Sequence, residues 1–164
     1  MTIKSVKAEL KIRAPSLEII EHKTSTASVE QAALAHKVHP GQIVKTIALM
    51  VNKPILLMMA GDMKIDNKKY KEYFKIKAKM LSSEETERFT SHPIGGVCPF
   101  GLPSKLDIYS DISLLNYDIV IPAAGSRNSS VKIARKLLIN IVNATDIDVS
   151  VKKFGNDKDY LIKF

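Results

Sequence analysis

The sequence has little cysteine, no tryptophan and no long apolar run. Cys98 is the only cysteine among 164 residues, which excludes a disulfide framework within the chain and also a zinc ribbon or finger. The longest apolar stretches, Ile47–Val51 and Pro54–Ala60, fall short of the ~20 residues that a membrane-spanning helix needs. No long apolar segment follows Met1, so we expect no secretory signal. We therefore expect a soluble protein of a reducing cytoplasm, with no membrane partner.

Several catalytic motifs are also absent. The chain has no Gly-x-Ser-x-Gly elbow, no His-Glu-x-x-His and no paired-carboxylate motif. No Gly-Lys-Ser/Thr completes a Walker loop, and the glycines have the wrong spacing for a dinucleotide fingerprint. His36 and His39 could share a helix face, but no Cys, Asp or Glu nearby completes a metal set. Cys98 follows His92 by six residues without a nucleophile signature, so we interpret it as a core-filling thiol. The sequence predicts neither a metal nor a cofactor.

Positive charge is abundant. The formal net charge is +8, and the isoelectric point is near 9.5. A basic surface of this kind attracts polyanions, and nucleic acid is the main polyanion of a cytoplasm. The same charge could also be a solvated surface that only aids solubility. Because there are only five Phe and five Tyr, we expect few platforms for base stacking.

Hydrophobic periodicity and turn signals predict alternating helices and strands. No linker or internal repeat is visible, so we expect one domain over residues 1–164. The predicted helices cover residues 2–12, 28–39, 66–73, 82–89 and 134–142, and a weakly defined tail follows from residue 152. The predicted strands cover residues 17–22, 43–51, 54–60, 76–80, 106–109, 117–121 and 130–133. The order lacks a regular βαβ repeat, which favours an α+β fold with a mixed sheet.

The central hairpin contains an unexpected lysine. Residues 43–51 and 54–60 lack polar alternation, which predicts strands covered on both faces. Lys45 interrupts the first of them and would lose hydration there unless an anion or a cavity lies near. Lys45 could be the one charge that lines a pocket. It could equally extend its stem to a solvent-facing side.

Two loops could hold a ligand. Residues 91–103 contain three glycines and three prolines, and the adjacent Gly95 and Gly96 would let backbone N–H groups approach a carbonyl oxygen or an oxyanion. A plain turn is the alternative. A second loop, residues 123–128, contains Gly125 and Ser126 directly after a predicted strand, where ligands commonly bind. A plain turn is the alternative here as well.

Taken together and in this order, these motifs resemble the YbaK / aminoacyl-tRNA-synthetase-associated domain family. That family comprises free-standing aminoacyl-tRNA deacylases and the editing insertion of bacterial prolyl-tRNA synthetases. The resemblance extends from about residue 24 to residue 138, and the Lys-Thr strand combined with Gly-Gly-Val-x-Pro-Phe-Gly is its most specific part. The matching segments are 26–27 with the helix 31–35, then 43–46, 61–62, 94–102 and 124–128.

The resemblance implies a fold and a set of site residues. It implies a single α+β domain with a mixed, partly barrel-like sheet flanked by helices. It implies that Lys45 is catalytic and anchors the phosphate or carbonyl of the aminoacyl end. The substrate-binding residues that it implies are Thr26, Thr46, Gly95, Gly96, Gly125 and Ser126. Family members lack a conventional protein nucleophile, and water, the ribose hydroxyl or the substrate's own side chain is thought to attack.

The implied function is editing. We expect a deacylase that acts in trans on aminoacylated tRNA, with tRNA-Pro carrying a small non-cognate amino acid as the expected substrate and a synthetase as a candidate second partner. Ser129 stands where some relatives have a histidine, which argues against a histidine-assisted role at that position. The alternatives are a non-catalytic tRNA- or synthetase-binding module with the same fold and a small-molecule binding domain with an incidental basic surface.

Overall fold

The computed structural model describes residues 2–153, so residues 154–164 of the predicted C-terminal tail lie outside the described part of the chain. The helices are α1 Thr2–Arg13, α2 Val29–His36, α3 Asn67–Phe74, α4 Ser83–Thr90 and α5 Arg135–Val142, with short 3₁₀ turns at Pro40–Gln42 and Ile112–Asn116. The strands are β1 Ile19–Glu21, β2 Ile43–Met50, β3 Pro54–Ala60, β4 Met63–Ile65, β5 Asp107–Asp111, β6 Ile119–Pro122, β7 Ser129–Val131, β8 Ile133–Ala134, β9 Thr145–Ile147 and β10 Ser150–Lys152.

Two helices begin at the capping boxes that the sequence predicts. The Ser28 hydroxyl accepts the Gln31 N–H at 3.1 Å, and the Gln31 side chain accepts the Ser28 N–H at 3.2 Å, which fixes the start of α2. Ser82 and Glu85 make the same exchange at the start of α4. Each box satisfies two N–H groups that a helix start otherwise leaves without a partner. The start of α2 is therefore held at a defined point, which matters for the site below.

A mixed six-stranded sheet forms the centre of the fold. Its strand order is β8-β6-β2-β3-β5-β9, with the antiparallel β2–β3 hairpin in the middle and the parallel neighbours β6 and β5 on either side. The sheet curls into a half-barrel, and the helices pack around it. Two further two-stranded ladders join β1 to β7 and β4 to β10. The predicted α+β fold with a mixed, partly barrel-like sheet is confirmed.

Strand β3 is buried on both faces. Leu56 and Met58 point into a large core that also contains Phe100. Leu57 packs on the other side, in a second core closed by Tyr70 of α3. A third, smaller cluster places α2 against β2 and β6 through Ala33, Ile43 and Ile121. The prediction of a hairpin covered on both faces is confirmed for β3, and β2 is only half-buried around Lys45.

The predicted strand at residues 76–80 is wrong. After Lys75 ends α3 in the left-handed conformation, the chain runs irregularly, and only Met80 forms an isolated bridge, to Leu49. The alternation that suggested a strand instead reflects a largely exposed edge segment whose lysines face water. Strands β4, β9 and β10 were also not predicted, because strands of three residues depend on the pairing of β4 with β10 and of β5 with β9 and not on local pattern. Among residues 2–153, no helix is both long and apolar enough to span a membrane.

Candidate active site

A cavity of about 250 Å³ lies between the start of α2, strand β2 and the 94–97 loop. Four of the predicted site residues line it: Thr26, Lys45, Thr46 and Gly95. The remaining wall is mainly apolar and includes Ile43, Ala48, Leu81, Val97 and Ile121. A mainly apolar cavity with a few converging polar groups has the usual composition of a small-ligand site.

Lys45 lies in the middle of β2 and is half-buried. Its ammonium donates one hydrogen bond to the main-chain oxygen of Met63, and among residues 2–153 it forms no other. An ammonium carries three N–H donors, so donors remain for a ligand. Burial lowers the pKa of Lys45, the Lys153 ammonium lowers this pKa further, and the Glu30 and Asp62 carboxylates partly offset both effects. The site therefore holds a partly desolvated cation, which an anionic or strongly polar ligand would stabilise.

The turn after β3 places a carboxylate near Lys45. Asp62 is 2% exposed, and it accepts a hydrogen bond from the Lys152 ammonium at 3.1 Å. A side chain at Gly61 would lie 2.3 Å from the main-chain oxygen of Pro40, so only glycine fits this close approach. The Gly61-Asp62 pair was part of the resemblance without an assigned role. The structure shows that it fixes the turn leading to the carbonyl that Lys45 contacts.

The loops that carry the other predicted residues are joined to one another. A Cβ atom on Gly95 would come within 2.8 Å of the Ala27 Cβ, and one on Gly96 within 2.8 Å of the Ser126 backbone. The Gly125 N–H donates to the Gly96 carbonyl at 3.1 Å. Three segments that are far apart in sequence thus pack backbone to backbone beside the cavity.

Gly95 and Gly96 differ in what their amides do. The Gly96 N–H donates to the Pro93 carbonyl at 2.9 Å, so this amide is already satisfied. The Gly95 N–H makes no hydrogen bond within residues 2–153, and Gly95 lines the cavity with a φ of +91°. Gly96, Gly125 and Ser126 lie behind the cavity wall, where they support it. Gly95 is therefore the glycine whose amide is available to a ligand.

The two predicted threonines take different positions. The Thr26 N–H donates to the Arg127 carbonyl at 2.8 Å, which ties the loop before α2 to the loop before β7. The Thr46 hydroxyl is buried in the cavity wall and has no hydrogen-bond partner among the described residues. A buried hydroxyl without a partner costs free energy, which a polar ligand atom could recover. Thr46 is thus a candidate ligand contact, whereas Thr26 connects two of the loops beside the cavity.

Sequence reasoning missed a histidine–serine cluster on the cavity wall. The Ser130 hydroxyl lies 2.6 Å from His36 Nε2 and 3.0 Å from His22 Nε2, and Ser130 lines the cavity. Burial lowers the pKa of His36 to about 4, with contributions from His22 and Lys132. His36 is therefore neutral at physiological pH. Nothing in the sequence joins positions 22, 36 and 130, because only the fold brings them together.

His92 and Cys98 are sealed in the protein. The Cys98 sulfur lies 3.5 Å from His92 Nε2, and both side chains are completely buried. His92 Nε2 also lies 2.6 Å from the Phe100 carbonyl oxygen. Burial raises the pKa of the Cys98 thiol to about 12, so it stays protonated. The interpretation of Cys98 as a core-filling thiol is confirmed.

Within residues 2–153, no group of three or more His, Cys, Asp or Glu side chains is placed to hold a metal ion.

Comparison with known proteins identifies the type of domain. Residues 23–141 match the model of the aminoacyl-tRNA editing domain family. The chain is 42% identical over 140 residues to "Uncharacterized protein YwhH" of Bacillus subtilis (strain 168), covering 84% of this chain and 89% of that protein. It also resembles a solved structure described as "Crystal structure of a putative trans-editing enzyme for prolyl tRNA synthetase". The TM-score is 0.85 at 27% identity, and the match covers 92% of this chain and 97% of the other.

Proposed function

The chain belongs to the aminoacyl-tRNA editing domain family, and on that premise we propose that it is a deacylase that hydrolyses the ester of a mischarged tRNA in trans. One observation carries the proposal: the half-buried Lys45 and the available amide of Gly95 line the same cavity. A cation and a backbone donor on one small cavity match the phosphate and the carbonyl of an aminoacyl end.

In the proposed reaction the protein positions an ester that is already reactive. Lys45 holds the phosphate or the carbonyl of the aminoacyl end, and the Gly95 N–H donates to the carbonyl oxygen as it becomes an oxyanion. Water adds to the carbonyl carbon, the bond to the ribose oxygen breaks as that oxygen takes up a proton from the water, and the tRNA with its free ribose hydroxyl and the amino acid leave. Removing one donor of this kind from a deacylating site typically costs about 10²–10³-fold in rate. Positioning supplies the rest, so no protein nucleophile is needed.

The size and lining of the cavity support a small amino acid as the substrate. Its volume is about 250 Å³ and its walls are mostly apolar, with the Thr46 hydroxyl as a polar contact. A synthetase pocket rejects an analogue that differs by one methylene by only about 10–200-fold, which is why a second site that removes the error is useful. Likeness to a protein described as a "putative trans-editing enzyme for prolyl tRNA synthetase" supports tRNA-Pro as the carrier of that amino acid.

A panel of mischarged tRNAs tests the proposal. Wild-type protein is incubated with tRNA-Pro carrying alanine, cysteine, serine or proline, and with unrelated mischarged tRNAs, and the release of amino acid is measured. We expect release of at least one small non-cognate amino acid from tRNA-Pro and none of proline. Hydrolysis of none of the panel, together with salt-sensitive tRNA binding, would replace the deacylase with a non-catalytic binding module.

A further inference from the structure

The lysines of the molecule are unevenly distributed. Residues 64–80 contain seven lysines against two acidic residues, which gives this segment +5 of the +8 formal charge of the whole chain. Six of the seven lysines are exposed. We name these six the basic ridge: Lys64, Lys68, Lys71, Lys75, Lys77 and Lys79.

The basic ridge is only partly compensated by negative charge within the molecule; the Glu85 carboxylate, for example, interacts electrostatically with Lys79. Within residues 2–153, no ridge lysine forms an ion pair. Lys69, the seventh lysine of the segment, is instead held by Asp148 at 3.0 Å and by the Ser150 carbonyl at 2.9 Å. Of the two acids in the segment, Asp66 accepts the N–H groups of Lys68 and Lys69 as the cap of α3. The ridge thus presents its charge to solvent, where a polyanion can neutralise it.

The basic ridge leads directly to the cavity. Lys79 is the last residue of the ridge, and its main-chain carbonyl accepts a hydrogen bond from the Met50 N–H at 2.9 Å. The next residue, Met80, forms an isolated antiparallel bridge with Leu49 of β2. Met80 lines the cavity and is 66% exposed. A chain of phosphates that follows the ridge would therefore deliver its end to the cavity beside Met80.

Apolar side chains are interleaved with the charges. Tyr73 is 47% exposed and Ile76 is 42% exposed, and both lie between ridge lysines. Cations alternating with aromatic or apolar surface are typical of proteins that track the sugar-phosphate backbone and pack against bases. Elsewhere among residues 2–153, part of the exposed positive charge is paired. On α1, for example, Lys7 pairs with Glu21 and Arg13 with Glu9.

We propose that the basic ridge is the docking surface for the acceptor stem of the tRNA whose aminoacyl end enters the cavity. This inference rests on the proposed function and adds where the rest of the tRNA lies. Phosphates of the stem contact the helical and downstream lysines, and Met80 packs against a base next to the aminoacyl end. The recognition is electrostatic and independent of base sequence, since lysines on phosphates carry little sequence information.

The test compares two triple variants with the same change in net charge. The ridge variant is Lys75→Gln/Lys77→Gln/Lys79→Gln. The control variant is Lys4→Gln/Lys11→Gln/Lys136→Gln, which removes three exposed lysines that also lack ion pairs within residues 2–153. Both are measured for binding to uncharged tRNA over a range of salt concentrations. Both are also measured for hydrolysis of a mischarged tRNA and of an aminoacyl-adenosine ester that has no stem.

We expect the ridge variant to bind tRNA at least 10-fold more weakly near 0.1 M salt, with a log–log salt slope smaller by about 2–3. It should lose kcat/KM on the mischarged tRNA but keep it on the aminoacyl-adenosine ester. The control variant should stay within about 3-fold of wild type in every assay. Equal losses in the two variants, or a ridge variant that binds tRNA as wild type does, would overturn the proposal.

Two further measurements separate the docking proposal from a failure of the proposed function and from membrane binding. If wild-type protein hydrolyses no ester, the proposed function fails, while the binding assay with uncharged tRNA still decides whether the ridge is a docking surface. Vesicles containing phosphatidylserine test a membrane as the alternative polyanion. A ridge variant that loses vesicle binding and keeps tRNA binding would contradict the tRNA assignment.

Discussion

Lys45 and Cys98 are both chemically reactive side chains held inside the fold, but only Lys45 lines a cavity. Lys45 keeps N–H donors beyond its bond to Met63 and faces a space of about 250 Å³. Cys98 and His92 contact each other at 3.5 Å in a region with no solvent exposure. In sequence, Cys98 and His92 have the residue types of a thiol nucleophile and its base. The comparison shows that access and the cost of desolvation, more than residue type, separate a candidate site from a packed core.

The two regions should also differ in what they contribute to stability. Burial lowers the pKa of Lys45, so the charged form is held at a cost in the folded state that an apolar side chain would not incur. Cys98 is packed in the large core next to Phe100, and His92 is completely buried beside it, so truncating either side chain leaves a void. We therefore expect substitutions at Lys45 to affect activity without loss of stability, and substitutions at Cys98 to do the opposite.

Lys45→Met should have the largest effect. We expect kcat/KM on the mischarged tRNA to fall by about 10²–10³-fold, because the substrate loses its cationic partner. The free energy of unfolding, measured in urea, should stay the same or rise. Lys136→Met, at an exposed position on α5, is the matched control and should change neither quantity. Wild-type activity in a folded Lys45→Met protein would remove Lys45 from the mechanism.

Gly96→Ala should affect both activity and stability. The new Cβ would lie 2.8–2.9 Å from the backbone of Ser126, so the two loops must move apart. Overpacking of this kind costs about 1–3 kcal/mol of unfolding free energy, and a shift of Gly95 should lower kcat/KM by about 10-fold or more. Ser104→Ala, at an exposed serine of a neighbouring loop, should leave both unchanged. Full activity in Gly96→Ala would show that the contact between the loops does not position the cavity.

Cys98→Ala should reduce stability by about 1 kcal/mol and leave kcat/KM within 2-fold of wild type. The native thiol should also resist alkylation by iodoacetamide at pH 8, since it is buried and its pKa is about 12. Urea unfolding and mass spectrometry of the alkylated protein measure these outcomes. Loss of deacylation in a stable Cys98→Ala protein would break the contrast between the two regions.

His36→Gln should produce the smallest effect at pH 7, and its effect on stability should appear mainly in the pH dependence. The pKa of His36 is about 4 in the folded protein, below the ordinary value of about 6.5 expected in the unfolded chain. Between these values the unfolded chain binds more protons, so the contribution of His36 to stability is lost as the pH falls from about 6.5 through 4. Urea unfolding at pH 7, 5.5 and 4.5 should show a shallower decline for His36→Gln than for wild type. Identical declines would show that His36 does not take part in this transition.

Local patterns in the sequence predicted the helix starts and the hairpin that surround the site. The capping boxes at Ser28 and Ser82 fixed two helix starts, and the apolar residues on either side of Asn52-Lys53 predicted the central hairpin. A lysine within an apolar strand was itself a signal, since burying a charge is costly. These features depend on neighbours in sequence, and for that reason they could be predicted.

Features that depend on tertiary contact could not be predicted from local pattern. No spacing rule joins Ala27, Gly95 and Ser126, and their convergence depends on close backbone approaches. The Gly96 N–H donates to the Pro93 carbonyl within a turn, and the Gly95 N–H does not take part in that turn. This difference between the two amides depends on the backbone conformation of the loop. The histidine–serine cluster gave no sequence signal, because its members come from β7, α2 and the end of β1.

A structure with a non-hydrolysable substrate analogue tests the central claim most directly. Adenosine carrying a small amino acid through a 3′-amide would keep the carbonyl and resist hydrolysis. We predict that it occupies the cavity, with its carbonyl oxygen within hydrogen-bond distance of the Gly95 N–H and a polar atom within reach of the Lys45 ammonium. An analogue bound elsewhere, with the cavity empty and Lys45 still bonded only to Met63, would contradict the account.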